Sequence, residues 1–212
     1  MESWRLRWGK STVAAIFTLA MCVIATPVVA DHNGDAGRFV ESLADRAVQS
    51  LTDGDISRPE RVHRFRTLFN EHFAVEEIGK WVLGRYWRQA TPAEQAEYLR
   101  LFEDYIVASY VDRFAAYTGE KLRIIKVLTE DGGGIIVFSE IFAMNGEQTA
   151  ARVDWRIEEK DHHFKVVDLV AEGVSMSVTL RSDFASIVRR EGDLSGLLKV
   201  LRTKTATLEA SP

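Results

Sequence analysis

In the segment ARVDWRIEEK, residues 151–160, apolar and charged side chains alternate strictly from Ala151 to Glu158. Val153, Trp155 and Ile157 occupy every second position, and charged residues separate them. Successive side chains of a β-strand point to opposite faces, so this spacing predicts a strand with one dry face and one wet face. The dry face must cover either the core of the protein or an apolar molecule bound to it.

The spacing of apolar residues is helical in the first half of the chain and strand-like in the second. Apolar residues recur every three or four positions from Phe39 to Tyr117, which predicts four helices. Helical spacing returns after Leu180. The predicted strands between these segments, joined by the short links DGGG, NGEQ and KDHH, are residues 121–130, 134–144, 149–159 and 164–174. Short links join antiparallel neighbours, so we predict an α+β fold in which a helical layer packs on a curved antiparallel sheet of four to five strands.

Polar residues and glycine mark the ends of several predicted helices. Ser57 with Glu60, and Thr91 with Glu94, have the spacing of a capping box, in which the two residues satisfy each other's backbone N–H groups. Gly84 follows the short apolar helix that precedes it and is predicted to end that helix.

The first thirty residues have the layout of a secretory signal peptide. Basic residues precede the apolar segment TVAAIFTLAMCVIAT, and the small residue Ala30 precedes Asp31. We predict cleavage after about Ala30 and export to the periplasm. Cys22 is the one cysteine of the chain and lies in this segment, so the mature fold is expected to hold without a disulfide.

The remaining residues, 31–212, are predicted to form a single domain. Its ordered core is predicted to span about residues 37–203, after a flexible lead-in at 31–36 and before a loose tail at 205–212. The formal net charge of the whole chain is −4, without a cluster of Lys and Arg residues, which argues against nucleic acid as a partner.

Motifs for metal binding and catalysis are weak. The segment DHH at 161–163 lies in a predicted hairpin turn, where adjacent histidines point to opposite faces. His63 and His72 do not have the i, i+4 spacing of a helical metal pair. The segment DGDIS at 53–57 resembles the start of a calcium loop, but its twelfth position is Arg64 where Glu is needed. We predict no catalytic residues, no metal, no cofactor and no enzymatic activity.

A series of motifs covers residues 69–111 and continues in the second half of the chain. A Phe-rich helix is followed by the motifs Leu83-Gly84, Tyr86-Trp87-Arg88 and Thr91-Pro92-Ala93-Glu94. The closing strands lead into EGVS at 172–175, Arg181 with Phe184, and a Leu-rich helix at 192–201. In its order and spacing this series resembles the periplasmic MlaC/toluene-tolerance family over about residues 37–203.

The resemblance implies a soluble carrier that holds a phospholipid by its acyl chains in an apolar cavity between the helices and the sheet. Such carriers pass the lipid between inner- and outer-membrane complexes of an ABC-type transport system and maintain outer-membrane lipid asymmetry. We therefore expect phospholipid as cargo, an inner-membrane ABC transporter complex and an outer-membrane lipoprotein complex as partners, and a monomer. A hopanoid-associated branch of the family would look similar, so a hopanoid or another lipid is the alternative cargo.

The candidate lipid-binding residues follow from the resemblance and from the side of its helix or strand on which each residue is predicted to lie. In the helices these are Phe69, Phe73, Trp81, Val82, Phe102, Ile106 and Tyr110. In the sheet they are Val137, Ile141, Val153, Trp155, Val167 and Leu169. Gly79 and Ala108 would leave room for the acyl chains, and Arg181 is a candidate neighbour of the head group.

Docking to membrane complexes would use exposed charges such as Arg88, Arg152 and Arg156.

Two rival functions fit the same sequence pattern. The first rival is a small-molecule enzyme on an α+β scaffold, in which Asp154 and Asp168 would face inward if the strand register shifted by one. The second is a periplasmic protein-interaction module with a solid core.

Overall fold

Helices and strands follow one another in the order that the sequence predicts. The computed structural model describes residues 32–143 and 149–210, all of them within the unit Asp31–Pro212. The predicted signal peptide and the NGEQ link lie outside the described residues. The helices are α1 (His32–Leu51), α2 (Arg58–His72), α3 (Val75–Leu83), α4 (Pro92–Tyr110), α5 (Met176–Glu191) and α6 (Leu194–Glu209). The strands are β1 (Lys121–Thr129), β2 (Ile135–Phe142), β3 (Thr149–Lys160), β4 (His163–Ala171) and β5 (Val174–Ser175).

The strands form one antiparallel sheet in the order β1-β2-β3-β4-β5, so each strand pairs with its neighbours in the sequence. The register shifts between Ile124 and Lys126 in β1, and again between Arg156 and Ile157 in β3. Irregularities of this kind bend a strand and increase its twist, so the sheet has a concave and a convex face. The predicted α+β class and antiparallel sheet are confirmed.

Helix α1 covers one end of the concave face. Ala36 and Val40 of this helix are fully buried against Ile135, Val137 and Ile157 of the sheet. The prediction of a flexible lead-in at 31–36 is therefore wrong from residue 32 onward. The early residues of α1 are helical because they pack on this part of the sheet. The spacing of apolar residues along the chain does not reveal such a tertiary contact.

The other helices pack mainly on one another and form a core of their own. Tyr98 and Phe102 of α4 are buried at its centre, in contact with Phe184 of α5. The Tyr98 hydroxyl donates a 2.9 Å hydrogen bond to the carbonyl of Gly79 in α3. A Cβ atom at Gly79 would lie only 3.0 Å from Leu99 Cδ2. Gly79 thus allows α3 and α4 to approach closely, and it does not make room in a cavity as predicted.

Two further helix boundaries, the end of α4 and the start of α5, differ from the predictions. Helix α4 ends at Tyr110, and a 3₁₀ turn at Val111–Arg113 follows it, whereas the sequence predicted a helix up to Tyr117. Helix α5 begins earlier than predicted, because the Ser175 hydroxyl accepts a 3.1 Å hydrogen bond from the backbone N–H of Val178.

Helix α6 continues to Glu209, so the prediction of a loose tail from residue 205 is wrong. Thr205 is buried one turn after the buried Leu201, which extends the packed stripe of the helix. The last carbonyls are also bound, because Arg58 Nη2 donates to the carbonyl of Leu208 at 3.1 Å.

The two predicted capping boxes have different outcomes. Thr91 and Glu94 form the complete box, with hydrogen bonds of 2.9 and 3.3 Å between each backbone N–H and the other side chain. Ser57 caps α2 through the backbone N–H of Glu60 at 3.3 Å. The Glu60 carboxylate instead binds Arg64 one turn later, at 2.6 Å.

Gly84 ends α3, as predicted, with a φ of +60° and a ψ of −123°. Arg181 of α5 lies against this turn: its Nη1 donates to the carbonyl of Trp81 at 2.9 Å, and its guanidinium lies 4.6 Å from the centre of the Trp81 ring. Arg181 therefore binds the C-terminal end of α3 and is not positioned as a head-group ligand.

The Gly84→Ala variant is expected to lower the free energy of unfolding by about 1–3 kcal/mol, since only glycine adopts this conformation without strain. The new Cβ would also lie 3.0 Å from Arg181 Nη2. Urea denaturation followed by circular dichroism measures the change. The matched control is Gly54→Ala, whose Cβ would meet nothing within 4 Å; an equal loss in the two variants would contradict the prediction.

His72 at the end of α2 packs between α1 and the sheet. Its ring meets Phe39 edge to face at 5.8 Å, and its buried Nε2 has no hydrogen-bond partner within the described residues. Burial, together with the positive charges of Arg46 and Lys165, lowers the pKa of His72 below its ordinary value, and the nearby Glu71 only partly opposes this.

Stability is expected to fall as the pH decreases below about 6.5, the ordinary pKa of histidine. In that range the unfolded chain binds a proton that folded His72 does not take, so protonation favours unfolding. Urea denaturation at pH 7.5 and pH 5.5 measures the loss, and His72→Gln should reduce it. His162→Asn is the control, because the His162 side chain is 98% exposed; an equal reduction in both variants would contradict the role of His72.

Candidate functional site

A cavity of about 1130 Å³ lies between the helical layer and the concave face of the sheet. Helices α1, α2, α4 and α5 form most of one wall, and strands β1, β2, β3 and β4 form the other. Typical small-molecule sites have volumes of about 300–1,000 Å³. The predicted apolar cavity between the layers is confirmed, and it exceeds the usual size of a small-molecule site.

Trp155 forms the centre of the sheet wall. Its indole N–H donates a 3.0 Å hydrogen bond to the hydroxyl of Ser139, which in turn donates to the carbonyl of Val153 at 2.7 Å. Ser139 is almost completely buried, and the register places Leu169 of β4 directly beside Trp155. Because the one polar atom of the indole is satisfied inside the sheet, Trp155 presents an apolar ring surface to the cavity.

Aromatic rings form the facing helical wall. The ring of Phe69 lies 5.0 Å from that of Phe73 and stacks on Phe65 at 6.2 Å. Phe65 also contacts Phe114 at 5.5 Å. Aromatic pairs at these separations attract one another beyond simple burial, so the rings hold each other in place while their free surfaces face the cavity.

The cavity opens to solvent between α1 and the segment that joins α4 to β1. The lining residues there are exposed and polar, namely Glu41, Asp45 and Gln49 on one side and Arg113 on the other. Tyr110 lies deeper, and burial raises the pKa of its hydroxyl above the ordinary value. The site therefore has an apolar interior and a charged rim.

The structure brings together nine of the thirteen candidate residues at the cavity wall. They are Phe69, Phe73, Phe102, Ile106, Tyr110, Ile141, Trp155, Val167 and Leu169. Direct contact of these side chains with lipid stays a prediction.

The remaining four candidates lie outside the cavity. Val82 is buried among the helices, and Val137 is fully buried beneath α1. Trp81 is 45% exposed and lies beneath Arg181 on the far side of α3. Val153 is half-buried on β3 and does not line the cavity. The alternation of side chains along the strands predicts that Val137 and Val153 lie on the inner side of the sheet. Alternation does not show which part of that side another element covers.

Sequence reasoning missed the contribution of α1 and of two aromatic residues. Ala44, Ala47 and Val48 of α1 line the cavity, and the four-residue spacing of apolar residues in this helix was the available signal. Phe65 and Phe114 also line it. Each continues the four-residue spacing of candidate residues that line the cavity, so extending that spacing by one step would have found them.

Polar groups near the cavity serve the structure. Asp168 accepts a 2.5 Å hydrogen bond from the Ser175 hydroxyl and a 3.0 Å bond from the backbone N–H of Ser177, which fixes the start of α5. Within residues 32–143 and 149–210, no three His, Cys, Asp or Glu side chains are grouped so that they could hold a metal ion. The arrangement is suited to enclosing an apolar ligand.

A helical layer and a curved antiparallel sheet with an open apolar cavity between them define an α+β protein of the ligand-enclosing class. The MlaC protein family matches residues 41–203, so the chain belongs to this family. None of the helices in the described part of the chain is both long and apolar enough to cross a bilayer.

Two known proteins show the similarity in detail. The chain is 25% identical over 120 residues to the intermembrane phospholipid transport system binding protein MlaC of Haemophilus influenzae, and the alignment covers 56% of each protein. The chain thus matches about half the length of that relative. The structure of the phospholipid-binding protein from Ralstonia solanacearum, solved in complex with a phospholipid, matches with a TM-score of 0.70 at 22% identity, covering 82% of this chain and 98% of that one. At this identity the match shows a shared fold.

The Ser139→Ala variant is expected to lower the free energy of unfolding by about 1–2 kcal/mol, because it leaves the half-buried Trp155 N–H without its partner. Urea denaturation measures the loss. Ser109→Ala is the matched control, because the Ser109 hydroxyl only donates to a carbonyl of its own helix, that of Tyr105. A loss in Ser139→Ala no larger than in the control would show that the hydrogen bond does not hold the indole.

Proposed function

We propose that the protein is a periplasmic lipid carrier that binds a phospholipid by its acyl chains in the cavity. It shuttles the lipid between inner- and outer-membrane complexes of an ABC-type transport system and so maintains outer-membrane lipid asymmetry. The observation that carries this proposal is the cavity of about 1130 Å³ with aromatic and aliphatic walls and a charged rim. Membership of the MlaC family supports it, as do the phospholipid-related names of the two relatives.

The energetics of lipid transfer explain why a carrier needs such a cavity. Exposure of an acyl chain to water costs about 0.8 kcal/mol per CH₂ group, so two chains of ordinary length cost on the order of 20 kcal/mol. Walls made of Trp155, Leu169 and the aromatic residues of α2 replace water with apolar contact. Because such contact is non-directional, the interior selects the length and number of chains and does not recognise the head group.

Transport of this kind has no catalytic step. The signal peptide that the sequence predicts would deliver the chain to the periplasm, where we expect it to be a monomer.

Docking to the membrane complexes would use exposed charges, among which Arg88 is the clearest candidate. Arg152 already pairs with Asp154 at 3.0 Å and lies 5.4 Å from the Phe138 ring, so partner binding through Arg152 would have to replace existing contacts.

Native mass spectrometry of the protein purified from its own periplasm tests the proposal. A bound mass that fragments as a phospholipid is the expected result. A hopanoid mass would favour the alternative cargo, and an empty, stable protein would favour an interaction module.

The Trp155→Asp variant is expected to retain less than about one tenth of the wild-type amount of lipid, because it places a charged carboxylate beside acyl chains. Lipid extraction followed by mass spectrometry measures the amount. Should this variant fail to fold, Ala47→Trp narrows the cavity without adding charge. Its matched control is Ala206→Trp at an exposed helical position outside the cavity. Wild-type lipid content in folded Trp155→Asp and Ala47→Trp would refute the site.

A further inference from the structure

Helix α1 presents a row of polar side chains along one side of the cavity mouth. Glu41, Asp45 and Gln49 follow one another at intervals of four residues, and all three are exposed and line the cavity. Residues at this spacing lie on one face of a helix. Within the described residues no basic side chain forms an ion pair with Glu41 or Asp45, and the nearby Arg38 pairs with Asp35.

Arg113 occupies the opposite side of the mouth. Its guanidinium lies 5.5 Å from the centre of the Tyr110 ring, which itself lines the cavity. In the described part of the chain no carboxylate pairs with Arg113. The mouth therefore carries positive charge on one side and negative charge on the other, and neither charge is neutralised by a neighbour.

Glu120 and Lys121 are further charged residues of the lining. The Glu120 carboxylate accepts hydrogen bonds from the Thr118 backbone N–H at 2.9 Å and from its hydroxyl at 2.7 Å. Lys121 also lines the cavity and is exposed, and it adds a second positive charge on the side of Arg113. Glu41 and Asp45 on one side, and Arg113 with Lys121 on the other, are therefore the charges available to a ligand.

We propose that this mouth recognises a zwitterionic phospholipid head group of the phosphoethanolamine type. Arg113 binds the phosphate, whose oxygens match the planar fork of a guanidinium, and Glu41 with Asp45 binds the ammonium group. An anionic head group without an amine leaves both carboxylates unpaired and meets their negative charge. This inference rests on the proposed carrier function. The interior of the cavity does not distinguish head groups, and the charged rim adds that selection.

The preference is measured by competition. Purified protein stripped of lipid is mixed with vesicles that contain equal amounts of phosphatidylethanolamine and phosphatidylglycerol with identical acyl chains, and the lipid on the re-isolated protein is quantified by mass spectrometry. Because exposed ion pairs contribute up to about 1 kcal/mol each, the wild-type protein should prefer phosphatidylethanolamine about three- to fivefold. In the Glu41→Gln/Asp45→Asn variant this ratio should fall to about one, through a loss of phosphatidylethanolamine.

The matched control for the carboxylates is Glu158→Gln/Asp55→Asn, which removes two negative charges from exposed positions outside the cavity and should keep the wild-type ratio. Arg113→Gln should reduce the loading of both phospholipids relative to diacylglycerol, which lacks the phosphate. Its control is Arg189→Gln, at an exposed position that does not line the cavity.

The outcomes separate this inference from the carrier function. A wild-type protein that takes up both lipids in equal amounts, or a ratio that survives Glu41→Gln/Asp45→Asn, overturns head-group selection and leaves the carrier function standing. A folded wild-type protein that takes up no lipid overturns both.

Discussion

The helices leave part of the apolar face of the sheet uncovered, and the cavity between the two layers depends on this incomplete cover. Helix α1 closes one end of the concave face through Ala36 and Val40. The remaining helices bury their apolar stripes mainly against one another, around Tyr98 and Phe102. The part of the sheet that contains Trp155 and Leu169 is covered only in part, and both side chains line the cavity. Apolar surface in this position favours a bound apolar molecule over water.

The two layers are held apart because they are joined at defined points near their edges. The backbone N–H of Ala74 donates to the carbonyl of Val166 at 3.0 Å, so the end of α2 is attached to β4. Lys165 Nζ donates to the carbonyl of Glu71 at 2.6 Å and binds the same helix end, where a positive charge interacts favourably with the helix dipole. Asp168 ties the other end of β4 to α5. These attachments fix the distance between the walls, so the cavity does not need a ligand to define its outline.

The sequence predicts the strands and their inner faces well, because alternation is a local property. It cannot predict which part of an inner face is covered. Val137 and Trp155 are directly opposite in the register of β2 and β3, yet Val137 is sealed under α1 and Trp155 faces the cavity. That difference is set by where α1 crosses the sheet, which follows from contacts between residues about a hundred positions apart. The same limit applies to Val82 and Gly79, whose surroundings depend on how the helices pack.

The bulge in β1 has a consequence for self-association. This strand is the first of an open sheet, and an unpaired strand edge is a template for joining another copy of the chain. The shift between Ile124 and Lys126 breaks the regular hydrogen-bonding pattern there, and the charged Lys121, Arg123 and Lys126 make a second strand unwelcome. This edge of the sheet therefore disfavours pairing with a strand of a second copy of the chain.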